Sequence, residues 1–129
     1  MTLNVLVADG GGASAAALSH MMSRDGCAVR NARDGDAALA EAAARRPDLV
    51  VLDAATPGRD VFEVCRRMRA DPSLRGVPIV MLSARCAEHD AEKAAALGAD
   101  LLISKPFSCR AVAAQLRAMM DVAEMGAAS

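Results

Sequence analysis

Aromatic side chains are almost absent from this chain of 129 residues, which contains two Phe and neither Trp nor Tyr. Without aromatic rings a protein lacks the platforms on which unpaired bases and flat cofactors stack. A basic surface is missing as well, because 15 Lys and Arg stand against 16 Asp and Glu, giving a formal net charge of −1. No positive field is available to hold a phosphate backbone, so we expect no direct binding to nucleic acid.

Long apolar runs, targeting signals and cysteine motifs are also missing. No apolar stretch approaches the roughly 18 residues that a membrane-spanning helix needs, and the first residues lack the regions of a signal peptide. The cysteines, at positions 27, 65, 86 and 109, show no zinc-site or disulfide-framework spacing. We therefore expect a cytoplasmic protein with reduced thiols and no membrane contact.

What is present is a regular alternation of short apolar runs with helical patterns, which predicts a parallel sheet with helices on both faces. Arg30 and Asn31 make the second strand polar, as is typical of an edge strand. This favours an α/β, doubly wound, flavodoxin-like fold with five parallel strands in the order 2-1-3-4-5 and five helices. Residues 1–122 are predicted as one domain and residues 123–129 as a flexible tail. The predicted strands span 5–7, 28–32, 49–52, 79–82 and 101–103, and the predicted helices span 13–24, 35–45, 61–70, 90–97 and 108–121.

Charged residues follow three of the predicted strands. Asp53 closes the apolar run Leu49–Leu52, Asp9 follows the first strand, and Lys105 follows the fifth. The carboxyl ends of parallel strands lie at one edge of a sheet, where open α/β proteins place their chemistry. The switch point of the predicted strand order lies between strands one and three, which end near Asp9 and Asp53. We therefore predict that Asp9, Asp53 and Lys105 form one charged pocket.

In the order and spacing of these residues, the sequence resembles the receiver domain of two-component response regulators, a family that includes chemotaxis regulators. The resemblance extends from about Asn4 to Met120. Each motif alone is modest evidence, but together they are specific. The matching positions are Asp9, Asp53 with its D-x-x-x-P-G continuation, Ser83 after the fourth strand, and Lys105-Pro106-Phe107 after the fifth.

The resemblance implies a role for each position. It implies that Asp53 is the phosphoacceptor, which receives a phosphoryl group from a histidine kinase or a phosphotransfer protein. Asp9, Asp53 and the backbone carbonyl of Ala55 are implied as ligands of Mg²⁺. Ser83 is implied to contact the phosphoryl oxygens, and Lys105 to pair with the acceptor, with a cis bond to the following proline. Such a set suits phosphoryl transfer, which needs charge neutralisation and positioning. The chain is expected to be a signalling domain and not an enzyme.

The acidic pocket departs from the family pattern. The family usually has a second acidic residue directly after the position of Asp9, whereas this chain has Gly10. Because disturbing even an outer-shell partner of a metal costs about 10- to 100-fold in affinity or activity, the loss of a ligand predicts weak Mg²⁺ binding and slow or absent phosphorylation by small phosphodonors. Leu102 stands where the family usually has an aromatic residue on the fifth strand. We therefore expect the effect of phosphorylation to reach the protein surface by an altered route.

Alternatives to a phosphorylatable switch stay open. One is a pseudo-receiver, a phosphorylation-independent protein–protein interaction module in which Asp53 and Lys105 form a structural ion pair. Asp9 could then cap the first helix or pair with Lys105. Another is nucleotide or flavin binding, because residues 10–15 fit G-x-G-x-x-A between a strand and a helix. Against it, Asp9 would lie against the pyrophosphate, and no acidic residue ends the second strand cleanly.

The sequence therefore predicts a cytoplasmic receiver domain of a two-component, phosphorelay signalling system, with Asp53 as its phosphoacceptor. The face formed by the fourth helix, the fifth strand and the fifth helix is predicted to bind a downstream protein. Cys86, in the loop after the fourth strand, offers a redox-sensing alternative at that edge of the sheet.

Overall fold

The computed structural model describes residues 2–9, 13–84 and 88–128. Strands and helices alternate along this part of the chain, as predicted. The strands are β1 (Asn4–Ala8), β2 (Ala28–Ala32), β3 (Leu49–Asp53), β4 (Ile79–Ser83) and β5 (Leu101–Ser104). The helices are α1 (Ala13–Arg24), α2 (Gly35–Ala44), α3 (Val61–Ala70), α4 (Glu88–Ala96) and α5 (Cys109–Ala128), with a short 3-10 helix at Pro72–Leu74.

The strands form one parallel sheet in the order β2-β1-β3-β4-β5. This confirms the predicted doubly wound, flavodoxin-like fold. β1 lies beside β3, with Ala8 paired to Leu52, and Asp53 is paired to Leu82 of β4 on the other side. The ends of β1, β3 and β4 are therefore level at one edge of the sheet. That edge carries Asp53.

Helices cover both faces of the sheet. Successive side chains of a strand point to opposite faces, so each face has its own buried cluster. On one face, Leu6 and Leu52 belong to a buried cluster with residues of α2 and α3. On the other face, Val7 and Val51 belong to a cluster with residues of α1 and α5. β3 is buried along its whole length, which explains its continuous apolar run.

β2 lies at the edge of the sheet, as its polarity predicted. Its Arg30 reaches the carboxyl end of α2, where Nη1 donates to the Glu41 carbonyl at 3.0 Å and Nη2 donates to the Arg45 carbonyl at 2.7 Å. Nη1 also donates to the Glu41 carboxylate at 3.0 Å. The Glu41 carbonyl also accepts from the N–H of Arg45, the residue that caps this helix end, so the guanidinium from the neighbouring strand adds further donors to a terminus where carbonyls are short of partners.

Side-chain caps fix the starts of two helices. Asp34 caps α2, as predicted, and its Oδ1 accepts a hydrogen bond from the N–H of Ala37 at 2.7 Å. Asp60 caps α3 and accepts from the N–H of Phe62 at 2.9 Å. The second cap matters for the site, because α3 begins directly after the loop that leaves Asp53.

Two helix boundaries differ from prediction by more than one residue. α4 begins at Glu88 instead of Asp90, and α5 ends at Ala128 instead of near Asp121. The added residues of α5 are mostly Ala, Glu and Met, which are strong helix formers. The flexible tail at residues 123–129 and the domain boundary after residue 122 stay predictions. Within the described residues, no helix has the length and apolar character needed to cross a bilayer.

Candidate functional site

Asp53 and Lys105 form an ion pair at the carboxyl edge of the sheet. Lys105 Nζ lies 2.9 Å from Oδ1 and 2.8 Å from Oδ2 of Asp53. The Asp53 side chain is 2% exposed and the Lys105 side chain is 18% exposed. This confirms that Lys105 and Asp53 converge. A buried carboxylate of this kind is stable only when its charge is neutralised and its oxygens are hydrogen-bonded.

The end of β5 brings Lys105 to this position. Its backbone N–H donates to the carbonyl of Ser83 at 2.9 Å, which holds the residue against the end of β4. The peptide bond between Lys105 and Pro106 is cis, as the family resemblance implied. The lysine is therefore anchored by main-chain bonding to the strand beside β3, and its side chain spans the remaining distance to Asp53.

The loop after β3 turns back on Asp53 at once. The N–H of Ala55 donates to Oδ1 of Asp53 at 2.9 Å, and the N–H of Thr56 donates to the Asp53 carbonyl at 2.9 Å. Ala54 bonds to the carbonyl of Leu82 at 2.8 Å, so the turn is also tied to β4. The carboxylate thus accepts from both Lys105 and a backbone N–H, and its orientation is fixed.

Thr56 connects this loop to the end of β1. Its side chain is buried, and Oγ1 donates to the carbonyl of Ala8 at 3.0 Å. The next residue, Asp9, is half-buried, and its backbone N–H donates to the carbonyl of Ala32 at 3.0 Å. Asp9 therefore lies where β1 ends, between the ends of β2 and β3. No pattern in the sequence indicates the Thr56 bond, since its partner is 48 positions away.

A cavity of about 460 Å³ lies beside the ion pair. Ser83, which is 5% exposed, contributes to its wall together with Lys105. The predicted residues Ala55, Ser83 and Lys105 are thus brought together around one space next to Asp53. The other described residues that line the cavity are Ala54, Thr56, Asp60, Val61, Phe62 and Ala84.

One wall of the cavity is connected to α4. The ammonium of Lys93, on α4, lies 4.3 Å from the centre of the Phe62 ring, a cation–π distance. Phe62 also packs against the core cluster under α3. No sequence signal pointed to this pair, because it requires α3 and α4 to be placed side by side.

The oxygen donors at this edge suit a hard divalent cation. Asp9 and Asp53 could offer carboxylates and Ala55 a backbone carbonyl, and Mg²⁺ is usually held by one or two carboxylates with waters completing its shell. Among the described residues, no group of three or more His, Cys, Asp or Glu side chains could hold a metal. The donor set fits Mg²⁺, but it is a small set.

Several predictions from the sequence fall on residues 10–12 and 85–87. Gly10, the other two glycines of the nucleotide fingerprint and Cys86 lie outside the described residues. Of the described cysteines, Cys27 and Cys65 are buried free thiols, and burial raises the pKa of each. Neither of these two thiols has the low pKa that reactive cysteines show.

The sequence matches the family model of the response regulator receiver domain over residues 5–117. This chain belongs to the receiver domain family. Its function is therefore that of a response regulator receiver domain in two-component signalling. Receiver domains are signalling domains that interact with histidine kinases or phosphotransfer proteins and generally bind Mg²⁺ for phosphorylation.

Curated relatives support this assignment. The chain is 37% identical over 129 residues to the alkaline phosphatase synthesis transcriptional regulatory protein PhoP of Bacillus subtilis, covering 100% of this chain and 53% of that protein. It is 35% identical over 117 residues to the sensory transduction protein RegX3 of Mycobacterium tuberculosis, covering 91% of this chain and 50% of that protein. The receiver domain thus spans about half the length of these relatives.

Solved structures show the same fold. The chemotaxis response regulator CheY4 of Vibrio cholerae superimposes with a TM-score of 0.85 at 27% identity, covering 92% of this chain and 99% of that one. The receiver domain of a signal transduction histidine kinase from Syntrophus aciditrophicus gives a TM-score of 0.83 at 25% identity, covering 93% and 91%. Receiver domains therefore occur both in response regulators and in kinases.

Proposed function

We propose that Asp53 is the phosphoacceptor of this receiver domain and that Ser83 and Lys105 assist the transfer. The phosphoryl group comes from a histidine kinase or a phosphotransfer protein. The observation that carries the proposal is the buried pair, in which Lys105 Nζ lies 2.8 and 2.9 Å from the two Asp53 oxygens. A fixed cation beside a carboxylate nucleophile neutralises the charge that develops during phosphoryl transfer.

In the proposed step, one carboxylate oxygen of Asp53 forms a bond to phosphorus. The bond between phosphorus and the donor histidine nitrogen breaks, and the nitrogen keeps the electron pair. The phosphoryl group carries roughly 1.5–2 negative charges at neutral pH. Lys105 neutralises part of this charge, and the hydroxyl of Ser83 lines the space of about 460 Å³ beside the acceptor.

Asp9, Asp53 and the backbone carbonyl of Ala55 would hold Mg²⁺, which would offset charge on the phosphoryl oxygens. We expect weak binding, because Gly10 supplies no carboxylate where the family has a second acid. With one ligand fewer, more of the octahedral shell must come from water. Slow phosphorylation by small phosphodonors is the expected consequence.

A downstream protein would bind the face made by α4, β5 and α5. β5 is the outer strand of the sheet, and its apolar residues 101–103 are partly exposed. The contact between Phe62 and Lys93 supports this face, because it joins the wall of the cavity to α4. The structural change that passes from Asp53 to this face would not involve an aromatic ring on β5, where this chain has Leu102.

The proposal limits the domain itself to signalling. We assign it no catalytic output of its own, no direct contact with nucleic acid and no contact with membrane. We place it in the cytoplasm, where free thiols such as those of Cys27, Cys65 and Cys109 stay reduced. A net charge of −1 supports the exclusion of a phosphate backbone as partner.

The second candidate is a pseudo-receiver whose partners bind without phosphorylation. Gly10 favours it, because it removes an acidic ligand. The bonding of Asp53 is compatible with it too, since both carboxylate oxygens already have donors in the ion pair. The two candidates differ in one respect, which is whether Asp53 ever carries a phosphoryl group.

Phosphoramidate tests this, because its phosphorus–nitrogen bond mimics that of phosphohistidine. We expect the wild-type domain to gain one phosphoryl group slowly with excess Mg²⁺ and none with a chelator, as measured by intact mass. Asp53→Asn should gain none. Asp60→Asn is the matched control, because Asp60 also lines the cavity and Asn preserves its cap on α3. Equal labelling of Asp53→Asn, or no labelling of wild type at saturating Mg²⁺, would refute the phosphoacceptor role.

A further inference from the structure

Thr56 bonds to the ends of two different strands. Its N–H donates to the carbonyl of Asp53 at 2.9 Å, and its Oγ1 donates to the carbonyl of Ala8 at 3.0 Å. The residue is 7% exposed, so water competes little for either bond. One buried residue therefore ties the end of β3 to the end of β1.

The two residues next to these bonds are candidate ligands. Ala55, whose carbonyl is a proposed Mg²⁺ ligand, directly precedes Thr56. Asp9, whose carboxylate is another, directly follows Ala8. The backbone of Asp9 is also held from the opposite side by the carbonyl of Ala32 at 3.0 Å. The bond from the Thr56 hydroxyl thus joins the two segments on which the ligands lie.

We propose that Thr56 is a positioning residue for the Mg²⁺ site, whose hydroxyl fixes the Ala55 carbonyl relative to Asp9. This inference rests on the function proposed above. Mg²⁺ demands near-ideal octahedral geometry, so ligands on separate strands must be held in place before binding. With Gly10 in place of a ligand, the remaining protein donors carry more of this requirement.

The decisive variants are Thr56→Val, which keeps the shape of the side chain and removes the donor, and Thr56→Ser, which keeps the donor. Mg²⁺ affinity is measured by titration calorimetry and by backbone amide NMR shifts of the full chain. We expect Thr56→Val to bind Mg²⁺ about tenfold more weakly, the loss typical of an outer-shell partner. Thr56→Ser should retain wild-type affinity.

A purely structural role predicts a different pattern. It would lower the melting temperature of Thr56→Val without Mg²⁺ and leave the Mg²⁺ affinity unchanged. Ser19→Ala is the control, because Ser19 is a buried hydroxyl on α1 that donates to Asn31 at 3.2 Å. It should alter stability without altering Mg²⁺ affinity. Should Thr56→Val fail to fold, Thr56→Ala removes the same donor without a second branch at Cβ.

The outcomes separate this inference from the proposed function. Unchanged Mg²⁺ affinity in Thr56→Val, alongside phosphorylation of Asp53, overturns the role of Thr56 and leaves the acceptor role intact. A wild-type domain that neither binds Mg²⁺ nor takes a phosphoryl group overturns both. The half-saturating Mg²⁺ concentration for phosphorylation gives a second check. It should rise in Thr56→Val, while the rate at saturating Mg²⁺ stays near that of wild type.

Discussion

Lys105 and Asp53 are 52 positions apart in the sequence, yet the lysine ammonium donates to both carboxylate oxygens of the aspartate. The two side chains differ in exposure, with 2% for Asp53 and 18% for Lys105. Lysine can direct its ammonium to water along its flexible stem, whereas the aspartate has no such route. The buried carboxylate would therefore be destabilised more by losing the lysine than the partly exposed lysine would be by losing the carboxylate.

Removing the lysine should destabilise the domain more than neutralising the aspartate. Lys105→Met leaves a buried charge without its partner, which typically costs about 3–5 kcal/mol. Asp53→Asn leaves an ammonium that can reach solvent, so its loss should be smaller. Urea unfolding followed by far-ultraviolet circular dichroism gives both values. A greater loss for Asp53→Asn would contradict this account of the pair.

Restoring the second acid should strengthen Mg²⁺ binding. We expect Gly10→Asp to raise the affinity about 10- to 100-fold, because a carboxylate returns to the ligand position of the family. Gly12→Asp, two positions further along the sequence, is the matched control for added charge. Titration calorimetry compares the three proteins. An equal gain in both variants would show that net charge, not ligation, sets the affinity.

Lys93 should help to couple the phosphorylation of Asp53 to partner binding, without taking part in the phosphoryl transfer itself. Lys93→Gln removes the cation over Phe62, a contact worth about 0.5–1 kcal/mol at an exposed position. Labelling of Asp53 by phosphoramidate should be unchanged in this variant. The change in partner affinity on phosphorylation should shrink, while Glu92→Gln on the same helix should behave as wild type. A loss of labelling in Lys93→Gln would place the lysine in the transfer itself.

Glu63 should make a small contribution to the stability of the domain, and this contribution should be lost at acid pH. Hydrogen bonds from Arg66 and then Arg67 lower the pKa of Glu63 from 4.5 to about 2. A carboxyl group with a lowered folded pKa stabilises the protein above its unfolded pKa and loses this effect as the pH falls through the folded value. All three side chains are at the surface, so the contribution of these ion pairs to stability is modest and is screened by salt.

The test is the difference in melting temperature between wild type and Glu63→Gln. The wild type should melt at a slightly higher temperature at pH 7, and the gap should narrow as the pH falls below about 4.5 toward 2. The same gap should narrow at neutral pH in 1 M salt. A difference in melting temperature that stays as large at pH 2 as at pH 7, and in 1 M salt, would show that packing, not charge, accounts for the effect of Glu63.

Features that depend on neighbours in the chain could be predicted from the sequence. The apolar run that ends at Asp53 marks a buried strand, and the polar residues around Arg30 mark an edge strand. Asp34 indicates a helix start, because a capping side chain bonds to an N–H only three residues on. From such local signals the parallel sheet follows, since strands alternating with helices have few ways to pack.

Tertiary structure decided what happens between distant segments. Thr56 donates to Ala8 across 48 positions, and Arg30 binds the far end of α2, although neither partner is marked by any pattern in the sequence. Periodicity and turn residues determine which way a strand or helix runs and which face it buries. Whether a particular hydroxyl or guanidinium reaches a particular carbonyl depends on separations of an ångström, which exist only once the strands and helices have packed.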